Sequence, residues 1–89
     1  IIHKMNYDLI HEDLVGQVPG SLVDKAETDL LHFFREGQLQ TGDVIPKEVE
    51  LALQLGVSRT VVREALLRLR MRGMINTKKK RGTVITNPD

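Results

Sequence analysis

The sequence predicts a mainly α-helical domain, three helices closed by a small β-hairpin, and three observations carry that prediction. Apolar residues recur at helical spacing in three stretches, and glycine follows each: Gly37, Gly56 and Gly73. The second and third stretches are separated only by Gly56 and Val57, too little for anything but a tight turn. Two β-branched runs then flank the segment Lys78–Gly82, the pattern of a hairpin.

The elements follow in order. Residues 1–18 carry scattered apolar positions, among them Met5, Leu9, Ile10 and Leu14, and read as a weakly structured arm ended by Gly16, Pro19 and Gly20. The folded domain is expected over residues 19–86, with 87–89 as the start of a linker. Ser21 is the expected N-cap of the first helix, with Asp24, Glu27 and Asp29 toward its positive end. Val23, Ala26, Leu30, Phe33 and Phe34 form its apolar stripe, and Gly37 stops it. Thr41-Gly42-Asp43 is a turn and Val44-Ile45 a short extended piece. The second helix is expected to start near Pro46, with Glu48 and Glu50 in its first turn and Leu51, Ala52 and Leu55 inward. Ser58 caps the third helix, whose core face is Val62, Ala65, Leu66 and Leu69. Arg68, Arg70 and Arg72 crowd its C-terminal end, where the helix dipole favours cations. Met74–Thr77 and Thr83–Thr86 are the expected strands, and a hairpin so short must lie against the helices to persist.

Composition removes several classes of function. Eighty-nine residues make one small domain, which buries only about 60% of its unfolded surface and leaves little room for a catalytic cleft. With no cysteine there is neither a disulfide framework nor a thiolate metal site, which fits a reducing cytoplasm. His3, His11 and His32 lie far apart without ligand spacing, so no metal site is expected. No catalytic constellation or phosphate-binding glycine loop is present. Tyr7, Phe33 and Phe34 are too few for a single-strand-binding platform of stacked bases. No apolar run approaches the ~20 residues of a membrane span.

Charge is distributed unevenly. Residues 1–45 hold three Lys or Arg against eight Asp or Glu, and residues 46–89 hold ten against four. Cations gathered in one half are the footprint of a face that meets a polyanion, although a solvated basic surface would give the same pattern.

The segment EVELALQLGVSRTVVREALLRLRMRG reads as a helix-turn-helix. Ala52 allows close approach of the two helices, Gly56 supplies a left-handed turn position, and Val57 packs beneath the turn. This geometry projects the third helix outward, as a helix entering a major groove must project. Arg59 and Arg63, four apart, share one of its faces with Thr60 beside them. Arginine there can bond bidentately to guanine O6 and N7, and the hydroxyls of Ser58 and Thr60 suit phosphate oxygens. The plainer reading is an exposed, solvated pair, with Arg63 bridged to Glu64 or Glu50. Lys78-Lys79-Lys80-Arg81-Gly82 places four consecutive cations at a hairpin tip, suited to a phosphate backbone or a minor groove. Alone it could equally be a soluble loop or a localisation-like basic tract.

These motifs carry a family resemblance. Gly42-Asp43, Pro46-x-Glu48-x-Glu50-Leu51-Ala52, Leu55-Gly56-Val57-Ser58-Arg59, Val62-Arg63-Glu64-Ala65-Leu66, Leu69, Gly73 and Arg81-Gly82-Thr83 resemble the N-terminal domain of the GntR family of bacterial regulators over about residues 21–86. The run VREAL is more similar to its FadR-type branch. The resemblance implies a winged helix-turn-helix, three helices plus a wing. It implies a cytoplasmic regulator, usually a repressor, that binds a palindromic operator in double-stranded DNA as a homodimer. It also implies a C-terminal domain that senses a small-molecule effector; no cofactor is expected in residues 1–89. The recognition helix would run from Ser58 to Arg72. Ser58, Arg59, Thr60 and Arg63 match its DNA-contacting positions, and Lys79, Lys80, Arg81, Gly82 and Thr83 fall on the wing. Two positions depart from the family pattern: Val49, where arginine is common, and Val61, where a hydroxyl is common. Val49 and Leu53 then form an apolar patch, and Lys47 is the candidate substitute for the phosphate contact. The patch could instead pack on the arm or on the C-terminal domain. The competing reading is a winged-helix protein-interaction module without sequence-specific DNA binding. A basic RNA-binding domain is a third, disfavoured by the lack of aromatic platforms.

Overall fold

The computed structural model describes residues 18–87. The arm predicted for residues 1–18 therefore lies outside the described residues except for Val18, which packs against the core. Pro88 and Asp89 of the expected linker also lie outside them.

Three helices and a hairpin form in the expected order: α1 (Gly20–Glu36), α2 (Glu48–Leu55), α3 (Arg59–Met71), β1 (Ile75–Lys78) and β2 (Gly82–Ile85). This is a winged helix-turn-helix. Helix α3 packs against α1, α2 and β1. Leu30, Leu51, Val61, Val62, Leu69 and Ile75 are the largest fully buried side chains, so the core is aliphatic and centred on α3.

Several local expectations need correction. Ser21 does not cap α1. The N-cap is Pro19, whose carbonyl accepts from Leu22 and Val23 N–H, and no side chain caps the helix. Helix α2 begins at Glu48, two residues later than expected, with Lys47 as N-cap. Proline disfavours helical geometry in the residue before it, not after it, so Pro46 permits either start. Gly37 keeps a right-handed backbone (φ −78°), and the left-handed position falls on Gln38 (φ 57°). The strands are shifted one residue toward the tip, with Ile75 opposite Ile85 and Lys78 opposite Gly82.

The turn between α2 and α3 forms as expected. Gly56 adopts φ 70°, ψ 31°, and the N–H groups of Gly56 and Val57 both donate to the Ala52 carbonyl. This satisfies an end carbonyl of α2 while reversing the chain. Ser58 Oγ then accepts from Val61 N–H at 3.2 Å and starts α3 at once.

The hairpin is fastened to the helical body by a third extended piece. Val44 bridges Val84 in antiparallel fashion. Gly42 N–H donates to Ile85 O (2.7 Å), Ile85 N–H to Asp43 O (2.9 Å) and Ile45 N–H to Thr83 O (2.9 Å). These bonds stabilise a wing that two short strands alone would not hold.

Candidate nucleic-acid interface

Helix α3 is divided by its two faces. Val61, Ala65 and Leu69 are fully buried, and Arg68 and Arg72 extend from the same side toward α1. Arg68 pairs with Asp24 and, at 3.5 Å, with Glu27. Arg72 reaches Glu27 at 2.6 Å. Hydrogen bonding to Asp24 is the main cause that raises the Arg68 pKa further above its ordinary value; the Glu27 bond adds to it, and desolvation opposes both. The sequence reading placed these arginines only in the field of the helix dipole. Carboxylates 41 to 45 residues away hold them instead.

The opposite face turns outward. At 3.6 residues per turn, Arg59, Arg63, Leu67 and Arg70 fall within one narrow arc. All four are exposed. Arg63 Nε stands 3.5 Å from Glu48 Oε1, an ion pair with the first turn of α2 and not with Glu64 or Glu50. Both partners are about half exposed, so the pair holds Arg63 only lightly.

Thr60 departs from the expected arrangement. It is 3% exposed, and a phosphate oxygen could reach very little of it. Val61 is fully buried, so the apolar residue at that position belongs to the core. Ser58 is half-buried and its oxygen is already engaged by Val61 N–H.

The wing carries its cations at the tip. Lys79 and Lys80 are exposed, and Lys80 takes φ 70°. Arg81, one of the four consecutive cations expected at the tip, donates from Nη2 to the Gly42 carbonyl at 3.0 Å. It thus fastens the wing to the turn ahead of α2, with other guanidinium donors to spare. Gly82 follows with φ 94°. Thr83 is half-buried.

Arg63 and the wing flank a single groove. Its walls are Pro46 and Lys47 ahead of α2, Arg63, Leu67 and Arg70 of α3, and Thr83 of β2. The stretch of α3 from Arg63 to Arg70 and the start of β2, Gly82 and Thr83, therefore border one groove, as a joint interface of helix and wing with a duplex requires. Outside the groove, Val49 and Leu53 are 51% and 73% exposed, so the apolar patch foreseen on α2 is present at the surface.

Among the described residues no three His, Asp or Glu lie close enough to hold a metal ion, and no helix is long and apolar enough to cross a membrane. His3 and His11 lie outside the described residues.

Comparison with known proteins agrees with this geometry. Residues 22–85 match the family described as bacterial regulatory proteins, gntR family. The HTH-type transcriptional regulator YcbG of Bacillus subtilis is 46% identical over 54 residues, which span 61% of this chain and 23% of that protein. The chain spans about a quarter of the length of the curated relatives it matches. Among solved structures, the GntR of Streptococcus agalactiae superposes with a TM-score of 0.68 at 34% identity, covering 72% of this chain and 31% of that one. The AraR DNA-binding domain in complex with operator ORR3 superposes with a TM-score of 0.63 at 26% identity, covering 73% and 78%.

Proposed function

This chain belongs to the GntR family of bacterial regulatory proteins, and on that premise we propose that it binds double-stranded DNA in a sequence-specific manner as the DNA-reading domain of a transcriptional regulator. Helix α3 enters the major groove. Arg59 and Arg63 read base edges there, and the wing, through Lys79, Lys80 and Arg81, follows the phosphates or the minor groove. Ser58, Lys47, Gly82 and Thr83 contribute backbone contacts at the margins. The observation that carries this reading is the exposed arc bearing Arg59 and Arg63, with Arg63 bordering the same groove as Gly82 and Thr83 of the wing. The operator-bound AraR domain, with the same fold, supports it.

The finer features follow the family. The intact regulator is a cytoplasmic repressor of the FadR-type branch. It binds a palindromic operator as a homodimer and answers to a small-molecule effector held by a C-terminal domain. Residues 1–18 and 87–89 serve as arm and linker. We assign the chain no catalytic activity and no cofactor of its own.

Selection of duplexes from a random pool by the protein tests this function. One enriched sequence is expected, bound at least ~10³-fold more tightly than a scrambled duplex at the same salt. Equal affinity for both would reject sequence-specific binding.

A further inference from the structure

We propose that the groove between α3 and the wing is a binding channel for the sugar–phosphate strand that separates the major from the minor groove, and that Arg70 is its phosphate-gripping residue. The proposal rests on the DNA-binding reading above and deepens it, since Arg70 was otherwise accounted for only by the helix dipole.

Three observations carry it. First, the arginines from Arg63 to Arg72 are sorted by partner. Arg68 and Arg72 are held by α1 carboxylates and Arg63 lies against Glu48, whereas Arg70 is exposed and makes no ion pair among the described residues. Second, Arg70, though exposed, borders the channel together with Lys47, Arg63 and Thr83. Third, the channel carries both cations and apolar walls, among them Pro46 and Leu67. A deoxyribose–phosphate strand offers partners for both, with weakly polar sugar faces between charged oxygens. Glu48 and Glu64 also line the channel. Glu48 is offset by Arg63, so Lys47 and Arg70 outnumber the one remaining carboxylate.

The geometry also requires a strand there. If the first turn of α3 sits in the major groove and the hairpin tip reaches the minor groove, the strand between those grooves must pass between helix and wing. Arg70, two turns along α3 from Arg63, sits where that strand leaves the helix. A phosphate contact fixes position and carries no sequence information.

The test is a salt titration of DNA affinity, read by fluorescence anisotropy. The probes are the duplex enriched by the wild-type protein and a scrambled duplex. Arg70→Gln should flatten the plot of log affinity against log salt by about 0.9 for each domain bound. A fourfold rise in salt would then weaken the variant about 3.5-fold less than the wild type. The same flattening is expected on the scrambled duplex, with an unchanged preferred sequence. Arg70→Lys should restore the slope, and Arg35→Gln, on α1 away from the channel, should leave it unaltered. A wild-type slope in Arg70→Gln overturns the proposal, and so does a changed sequence preference, which would make Arg70 a base reader. Arg63→Ala, run beside it, separates the two levels. If that variant loses discrimination while Arg70→Gln keeps the wild-type slope, only the channel assignment fails. If the wild-type protein shows no salt-dependent affinity for DNA, the functional reading fails and the channel assignment with it.

Discussion

Replacing Gly56 with alanine should destabilise the protein, and replacing Gly37 with alanine should stabilise it. Both glycines end a helix, and both substitutions add one methyl group. At Gly56 a Cβ would meet no atom within 4 Å, so packing contributes nothing to the cost. The backbone alone decides, because φ 70° brings Cβ toward the carbonyl oxygen. That conflict costs about 1–2 kcal/mol for an L-residue. At Gly37 φ is −78°, and a Cβ would lie at an ordinary 3.5 Å from the Phe33 carbonyl oxygen. Alanine fits there without strain and restricts the unfolded chain, a gain of about 0.4–1 kcal/mol. For a domain of this size each kcal/mol moves Tm by about 4–8 °C. The two variants should therefore melt on opposite sides of the wild type, at least ~6 °C apart. Thermal unfolding followed by circular dichroism measures this. Equal shifts, or a more stable Gly56→Ala, would show that the turn between α2 and α3 does not need its left-handed residue.

Two further outcomes follow from the ion pairs and the wing. Glu48→Gln should raise DNA affinity by up to about fivefold, because Arg63 no longer leaves a partner worth under about 1 kcal/mol. It should slightly lower Tm, since an acidic residue is lost from the first turn of α2; weaker binding in an anisotropy titration would contradict this. Lys80→Gly should relieve the left-handed strain at the wing tip and raise Tm. It should also flatten the salt dependence of binding by about 0.9 per domain, and an unchanged slope would remove Lys80 from the interface.

Features set by a few neighbouring residues were legible in the sequence. The Ala52-Gly56-Val57 turn, the Ser58 cap and the outward pairing of Arg59 with Arg63 need only short-range spacing. The Ser21 cap was also a short-range inference, and it failed because the Pro19 carbonyl already accepts from the first-turn N–H groups. Contacts between distant segments were not legible. The Arg68 and Arg72 pairs and the Arg81 bond to Gly42 each join residues about forty apart, and no local pattern announces them. Burial on α3 was underestimated for a related reason. A helix packed on one neighbour shows one apolar stripe, but α3 meets α1, α2 and β1, so its buried arc widens to take in Thr60 and Val61. The groove that unites Arg63, Arg70 and the wing is also lined by Val44, which reaches it by pairing with Val84, forty residues away.

The most direct measurement repeats the random-duplex selection with Arg63→Ala and compares the enriched sequences position by position. Loss of preference at one base pair in each bound site, with the other positions retained, is the result expected of a side chain that reads a base edge. An enriched sequence identical to the wild type's, with affinity lowered equally for every duplex, would contradict a base-reading α3.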